Sequence, residues 1–377
     1  MSAPIRIPII RPTLPPFEEV VRELESVWCS GMLTSGSHGR ELERTMQERC
    51  AVPEAIGMAN CTSGLILLLK ALDLPAGGDV IVPSFTFAAT AHAVVWNGLR
   101  PVFADCVAAD LTLDPASVRR RLTPRTVAIM ATSIFGVPPD LDALQEIADE
   151  RDIPLVLDSA QALSSTYKGR PMGGFGVGEV FSMSPTKVAT AAEGGVVTTR
   201  DPVLAEKLRR LRDYGKARDG QDMEFIGLSA RLSELHAVVA NATLRHVDEY
   251  IAHRLECIGR YQSHLRDLPG VSFPAVPAGR TTSCNYMVVR VDPTRAPLTR
   301  NALYGAFAEL GIQTKKYFYP AVHEQTAFAP FSDGVELPAA TAAAAECLAL
   351  PLYGHMDEET LDEVVRAFRG FFGRPTA

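Results

Sequence analysis

The sequence has few of the features that would place it outside the cell or in a membrane. Its seven cysteines (29, 50, 61, 106, 257, 284 and 347) are odd in number, scattered and never spaced as CxxC. That excludes a disulfide framework and points to a reducing cytoplasm. No apolar run approaches the roughly 20 residues of a membrane-spanning helix. The opening MSAPIRIPIIRPTLPPFEEV is interrupted by prolines and has no small-residue cleavage site behind an apolar core, so no secretory leader is expected. The Asn60-Cys61-Thr62 and Asn241-Ala242-Thr243 sequons are then chance matches. Charge of one sign is not in large excess: 37 basic and 44 acidic residues leave a net −7. A chain this mildly acidic is not built as a whole for nucleic acid. The phosphate-cradling pattern GxxxxGK[ST] is missing, and the eight histidines form no HExxH or other metal spacing. The nearest approach to a dinucleotide-binding glycine fingerprint, GGFGVG (173–178), precedes a strand-like run instead of opening a helix. There are no internal repeats and no low-complexity segment.

What remains is an ordinary globular composition, 47% hydrophobic and 21% charged, in a chain of 377 residues. That length holds two or three domains. The first two-thirds alternates strand-like and helix-like segments. DVIVPSF (79–85), PVFADC (101–106), TVAIMAT (126–132), IPLVLD (153–158), EVFSM (179–183) and GGVVTT (194–199) read as strands. DLDALQEIADERD (140–152) has apolar residues at helical spacing behind a capping aspartate. Continuous apolar strands separated by helices predict an α/β fold with a mostly parallel sheet covered on both faces. The segment 202–215 reads as a helix ended by Gly215, and 229–268 as one long helical stretch leading to a second domain. Beyond it a strand (285–292), a helix (299–311), an alanine-rich helix (339–346) before the strand LPLY (350–353), and a last helix (358–372) suggest a smaller α/β domain. We divide the chain into a large domain with an N-terminal arm (1–240) and a small C-terminal domain (241–377).

In open α/β sheets, ligands bind beyond the carboxyl ends of the strands. Asp158 follows the run IPLVL, Phe87 follows DVIVPS, Thr62-Ser63-Gly64 opens the helix LILLLKAL, and Lys187 stands five residues after Ser182 among small and apolar neighbours. Taken singly, each has an ordinary structural use: a turn aspartate, a helix cap, a core aromatic, a lysine at a loop rim. Together they supply what pyridoxal 5'-phosphate requires. Its aldehyde needs a lysine, and its pyridine nitrogen needs a carboxylate that keeps the ring an electron sink. Its phosphate needs a helix N-terminus with small residues, and its ring face needs a flat apolar partner.

At these residues the chain resembles the DegT/DnrJ/EryC1/StrS aminotransferases, sugar aminotransferases of the aspartate aminotransferase fold (fold type I). The carrying motifs are SGMLTSG (30–36), NCTSGLILLLKAL (60–72), GGDVIVPSFTFAATAHAVVWNGLRPVFADC (77–106), LVLDSAQALSSTYKGRPMGGFG (155–176), FSMSPTKVATAAEGGVVTT (181–199), GLSARLSELHA (227–237) and KKYFYPAVHEQ (315–325). The resemblance implies that Lys187 forms the Schiff base and shuttles the proton, Asp158 pairs with the pyridine nitrogen, and Gln161 lies against the phenolic oxygen. It implies that Phe87 stacks on the ring and that Thr62, Ser63 and Ser182 hold the phosphate. The GLSARLSE segment is usually supplied by a neighbouring subunit, which implies a homodimer with shared sites.

The sequence departs from the family pattern at Ser229, where asparagine is usual, so the implied cross-subunit phosphate contact is put in question, the shorter hydroxyl reaching only through water. Cys61, Gly64 and Ser184 also replace the usual glycine, alanine, and histidine or aromatic residue. Family dehydratases carry histidine in place of the lysine, so Lys187 points to transamination. The implied donor is L-glutamate or L-glutamine. The implied acceptor is a nucleotide-linked keto-sugar, met by Lys315, Lys316, Tyr317, Tyr319 and His323, where paired lysines suit a diphosphate and aromatic rings a base or sugar face. The YFYPxxH pattern is similar to members acting at C4 of a deoxythymidine-diphosphate-linked 4-keto-6-deoxyhexose. A 3-keto sugar, a keto-cyclitol, and a non-catalytic cofactor-binding regulator or scaffold stand as alternatives.

Overall fold

The computed structural model describes residues 4–373. Strands β1 (Glu54–Met58), β2 (Asp79–Pro83), β3 (Arg100–Ala104), β4 (Thr126–Thr132) and β5 (Leu155–Asp158) are followed by a small hairpin of β6 (Thr166–Tyr167) and β7 (Arg170–Pro171). Strands β8 (Gly178–Ser182) and β9 (Gly195–Thr199) complete a seven-stranded sheet of order β1-β9-β8-β5-β4-β2-β3. The run from β8 to β3 is parallel throughout, and β9 alone is reversed, antiparallel to both β8 and β1. The apolar runs are buried on both faces because helices cover both. Val80, Val82, Met130 and Val156 point into one core with the helix Cys61–Ala71. Ile81, Ile129, Ala131 and Leu157 point into the other, with the helices Ser37–Cys50, Leu141–Arg151 and Glu234–Arg245. This period-two division between the two cores follows from the pleat.

Two local devices bring helices to the carboxyl edge of this sheet. Asn60 caps the helix Cys61–Ala71 by accepting the Ser63 N–H. One turn on, Gly64 lies so close to β8 that a Cβ there would stand 2.7 Å from Val180 Cγ1. The helix Leu141–Arg151 starts where its capping aspartate, Asp140, accepts the Ala143 N–H.

The stretch expected as one helix over 229–268 is two, Glu234–Arg245 and Val247–Leu265, broken at His246. The two halves serve different cores. Ala237, Ala240 and Leu244 pack under the seven-stranded sheet. Cys257, Tyr261 and Leu265 pack on a second sheet of β10 (Val271–Ser272), β11 (Met287–Val291) and β12 (Cys347–Leu350), all antiparallel. The division placed at residue 240 therefore falls inside a helix of the first core. Ile7, in the N-terminal arm, bridges Ile312 and joins the second core. The last strand begins at Cys347 and stops before Pro351, which has no N–H to give a ladder, so only the first residue of LPLY is in it. The first strand, EAIGM, was not picked out from sequence, because its glutamate and glycine break the apolar run. No helix among the described residues is long and apolar enough to cross a membrane.

Candidate active site

The ends of β1, β2, β5 and β8 meet at one edge of the sheet, and the residues singled out from sequence follow them. Asp158 closes β5 and is buried, 4% exposed. One carboxylate oxygen accepts the Thr90 hydroxyl at 2.7 Å and the other the Ala160 N–H at 3.2 Å. Thr86 lies 3.0 Å from Thr90 and 3.2 Å from Thr132, so three buried hydroxyls lead to the carboxylate. Burial pushes the Asp158 carboxyl above its ordinary value, and the Thr90 hydroxyl, the Ala160 N–H and the Lys187 charge only partly pull it back. No lysine, arginine or histidine among the described residues forms an ion pair with it within 4 Å. A buried carboxylate in this situation gains from a cation brought to it.

Lys187 lies on the loop between β8 and β9, half-buried, and not at an exposed rim. The loop is pinned from below: the Thr243 hydroxyl, on the helix Glu234–Arg245, donates to the Thr190 carbonyl at 2.8 Å, and the Thr190 N–H donates back to it at 3.2 Å. The Lys187 charge bears on Asp158, on Cys61 in the first turn of the helix Cys61–Ala71, and on Tyr286. Its Nζ lies 5.7 Å from the centroid of the Tyr286 ring.

Around this pair stand the parts that would hold a pyridoxal phosphate. Gln161 is buried, and its carbonyl oxygen accepts the Phe135 N–H at 2.9 Å. With the oxygen so engaged, the amide NH2, which makes no hydrogen bond among the described residues, offers two donors for an oxyanion. Thr62 and Ser63 sit on the first turn of their helix, where Asn60 takes the Ser63 N–H and its carbonyl accepts the Ser63 hydroxyl at 2.8 Å. The Ser182 hydroxyl closes β8 and accepts the Ser184 N–H at 3.4 Å. Phe87, beyond β2, is 61% exposed, with its ring 6.3 Å from that of Phe318. An exposed aromatic face, an unpaired buried carboxylate, oriented amide donors, a helix N-terminus and a half-buried lysine together fit the cofactor.

Phe87 also borders an open cleft of about 410 Å³ lined by Tyr304, Lys315, Lys316, Tyr317 and Tyr319. The Lys316 ammonium lies 4.5 Å from the Tyr304 ring centroid and 5.8 Å from that of Tyr319. Burial, then the charge of Arg300, lowers its pKa. His323 is not on this cleft. It is buried, its Nδ1 2.5 Å from the Ser84 hydroxyl, and with Val322 it ties this segment to the end of β2. Burial lowers its pKa, which suits a neutral internal strut. Ser229 is exposed, in a backbone bridge with Asp213, and no hydrogen bond joins it to the residues above.

Sequence reasoning missed Thr90, Phe135 and Tyr286. Thr90 was within reach, since it lies one helical turn from Thr86 in TFAAT. Tyr286 had no local signal: it meets Thr186 across 100 positions of chain.

The profile of the DegT/DnrJ/EryC1/StrS aminotransferase family matches residues 17–369. The chain is 36% identical over 348 residues to the erythromycin biosynthesis sensory transduction protein EryC1 of Saccharopolyspora erythraea, covering 90% of this chain and 93% of that one. Among solved structures it is similar to DesI, determined in the presence of its TDP-sugar product (TM-score 0.92, 33% identity, 99% and 94% of the two chains). It is also similar to DesV of S. venezuelae, determined in complex with a ketimine intermediate (TM-score 0.89, 31% identity, 97% and 100%). The chain belongs to the DegT/DnrJ/EryC1/StrS family and is a pyridoxal phosphate-dependent sugar aminotransferase of fold type I.

Proposed function

We propose that the protein transfers an amino group from L-glutamate or L-glutamine to a nucleotide-linked keto-sugar, a deoxythymidine-diphosphate-linked 4-keto-6-deoxyhexose being the acceptor favoured by the sequence. The observation that carries this reading is the coupling of Lys187 to the buried Asp158, with Tyr286 linking Lys187 to Tyr317 of the lysine–tyrosine cleft that the exposed Phe87 borders. When bound, pyridoxal phosphate supplies a carbonyl that accepts the amine and a ring that withdraws electrons from the reacting carbon. Lys187 holds and returns the proton at its Nζ, a role worth roughly 10²–10⁴-fold as general acid–base help alone. Asp158, buried and without an ion-pair partner within 4 Å among the described residues, would pair with the pyridine nitrogen and favour its protonated form. Thr62, Ser63 and Ser182 would hold the phosphate, and the Gln161 amide would donate to the phenolic oxygen. Lys315 and Lys316 take the acceptor's diphosphate, and Tyr317 and Tyr319 take its flat or apolar parts.

The protein acts as a homodimer in the cytoplasm, Ser229, with a side chain shorter than asparagine's, reaching the partner's phosphate site through a water. The TDP-sugar product of DesI supports the class of acceptor. A 3-keto sugar or a keto-cyclitol would use the same machinery. The relative named as a sensory transduction protein is the one observation that favours a non-catalytic regulator. The retained Lys187, Asp158 and Gln161 weigh against that reading, since a regulator has no need of a proton-shuttling lysine.

The test is the visible spectrum of protein loaded with pyridoxal phosphate, before and after L-glutamate, followed by a panel of keto-sugars. We expect the band to shift with glutamate and to return with the acceptor. Lys187→Ala should lose turnover altogether, and steady-state activity in that variant would remove Lys187 from its role. A band indifferent to L-glutamate, and to L-glutamine in the same titration, would leave the regulator.

A further inference from the structure

Tyr286 comes to the site from the second sheet, one residue before β11, and is held there from several sides. The buried Arg254 guanidinium, 1% exposed, donates to the carbonyls of Cys284 and Asn285 at 3.4 and 3.1 Å. The Ser283 hydroxyl donates to the Gln161 carbonyl, and the Ser283 N–H to Ser165 at 2.9 Å. The ring itself, 9% exposed, meets Phe135 edge-on at 6.3 Å and lies 4.8 Å from the Tyr317 ring. Its hydroxyl is 3.4 Å from that of Thr186, the neighbour of Lys187, and its centroid is 5.7 Å from Lys187 Nζ. This is a fixed aromatic face within cation–π range of an amine that must spend part of each turnover free and charged.

We propose that Tyr286 is a positioning residue for Lys187, its ring and hydroxyl receiving the protonated Nζ when that nitrogen is free and keeping it at the edge of the cleft. No bond to Tyr286 forms or breaks; the proton stays on Lys187. The inference rests on the reading of Lys187 as the amine that engages the cofactor. Burial alone would push the Tyr286 hydroxyl up, but the Lys187 charge, with hydrogen bonds to Thr186, Lys187 and Tyr317, brings it below its ordinary value. The hydroxyl oxygen is thus presented to a positive charge. The titratable groups that face Lys187 are Asp158 from β5, Cys61 from the helix Cys61–Ala71, and Tyr286 with its neighbour Tyr317 from the C-terminal part of the chain. Asp158 and Cys61 are unaltered in the variants below.

Only a neutral amine condenses with an aldehyde. The rate at which the cofactor-free full chain acquires its visible band with added pyridoxal phosphate, followed from pH 6 to 10, therefore reports the ionisation of Lys187 without any turnover. Tyr286→Phe keeps the ring and its packing but loses the hydroxyl, whereas Tyr286→Leu loses both. We expect the inflection to fall from wild type to Phe and again to Leu, by roughly half a pH unit per step, about a threefold rise in rate below the inflection. If Tyr286→Leu does not fold, the comparison of wild type with Tyr286→Phe decides alone. Coincident inflections in folded variants would overturn the proposal and leave Tyr286 a packing residue. If wild-type protein shows no band, the reading of Lys187 falls, and this inference with it.

Discussion

Thr90 shows how much of the site rests on a single hydroxyl. Asp158 is buried with no ion-pair partner among the described residues, and of the effects that pull its carboxyl back toward the ordinary value the Thr90 bond, at 2.7 Å, is the largest. Hydrogen bonds to charged groups are worth about 1.5–3 kcal/mol. Thr90→Val should therefore weaken pyridoxal phosphate binding by about tenfold or more, and Thr90→Ser should restore most of it; a spectroscopic titration of the cofactor-free protein measures both. Unchanged affinity in the valine variant would show that the Ala160 N–H suffices. At this scale the sequence was informative wherever chemistry is tied to residue type, as at Lys187 and Asp158. It misled at His323, where a histidine near two lysines looks like a ligand but is bound inside by Ser84.

Two buried carboxylates organise elements around the site. Glu234 accepts the N–H groups of Gly36, His38 and Gly39 at 2.9, 2.8 and 3.0 Å, and so caps the helix Ser37–Cys50 from the far end of the chain. This explains why SGMLTSG and GLSARLSE occur together: they form one joint, in which a Cβ on Gly36 would stand 2.6 Å from the Glu234 carboxylate. Glu234→Ala should cost about 3 kcal/mol or more, since it strands three donors, and urea unfolding would measure the loss.

Glu179, on β8, accepts the N–H groups of Gly173 and Phe175 and the Ser159 hydroxyl. Burial, opposed by those bonds, raises it to about 7. Because the folded protein holds this proton more tightly than the unfolded chain, its contribution to stability is present below the ordinary carboxylate value and is lost as pH rises through about 7. The loss is of order 3 kcal/mol. Glu179→Gln, which mimics the protonated form, should gain melting temperature over wild type as pH rises from 5 to 8. Parallel curves would show that Glu179 does not titrate in this range. Neither carboxylate could be placed from sequence, because its partners lie in other segments or in a loop of irregular geometry.

At the scale of the whole molecule, six exposed large apolar side chains flank in sequence the two segments that Glu234 joins. Trp28, Met32 and Leu33 precede Thr34, which bridges Ser233, and Met223, Ile226 and Leu228 precede Ser229. Ile226 is 84% exposed, an unfavourable place for a large aliphatic group unless something covers it. A homodimer of the kind proposed above would supply that cover. Wild-type protein should sediment at twice the chain mass, and a Met32→Asp, Ile226→Asp double variant should sediment largely as monomer. A monomeric wild type would remove both the dimer and the cross-subunit role of Ser229.

The order of strands and helices in the first domain follows from local pattern. Strands buried on both faces must be apolar throughout, and helices must show one apolar stripe, so the sequence by itself determined a mostly parallel α/β sheet and the edge where chemistry would gather. It also determined residue types that only a few reactions need together. Tertiary structure alone decided the reversal of β9, the break at His246 that divides one helical stretch between two cores, and the arrival of Tyr286 beside Lys187. Each of these depends on which distant surfaces are buried against one another. That is set by the packing of the whole chain, and no window of neighbouring residues contains it.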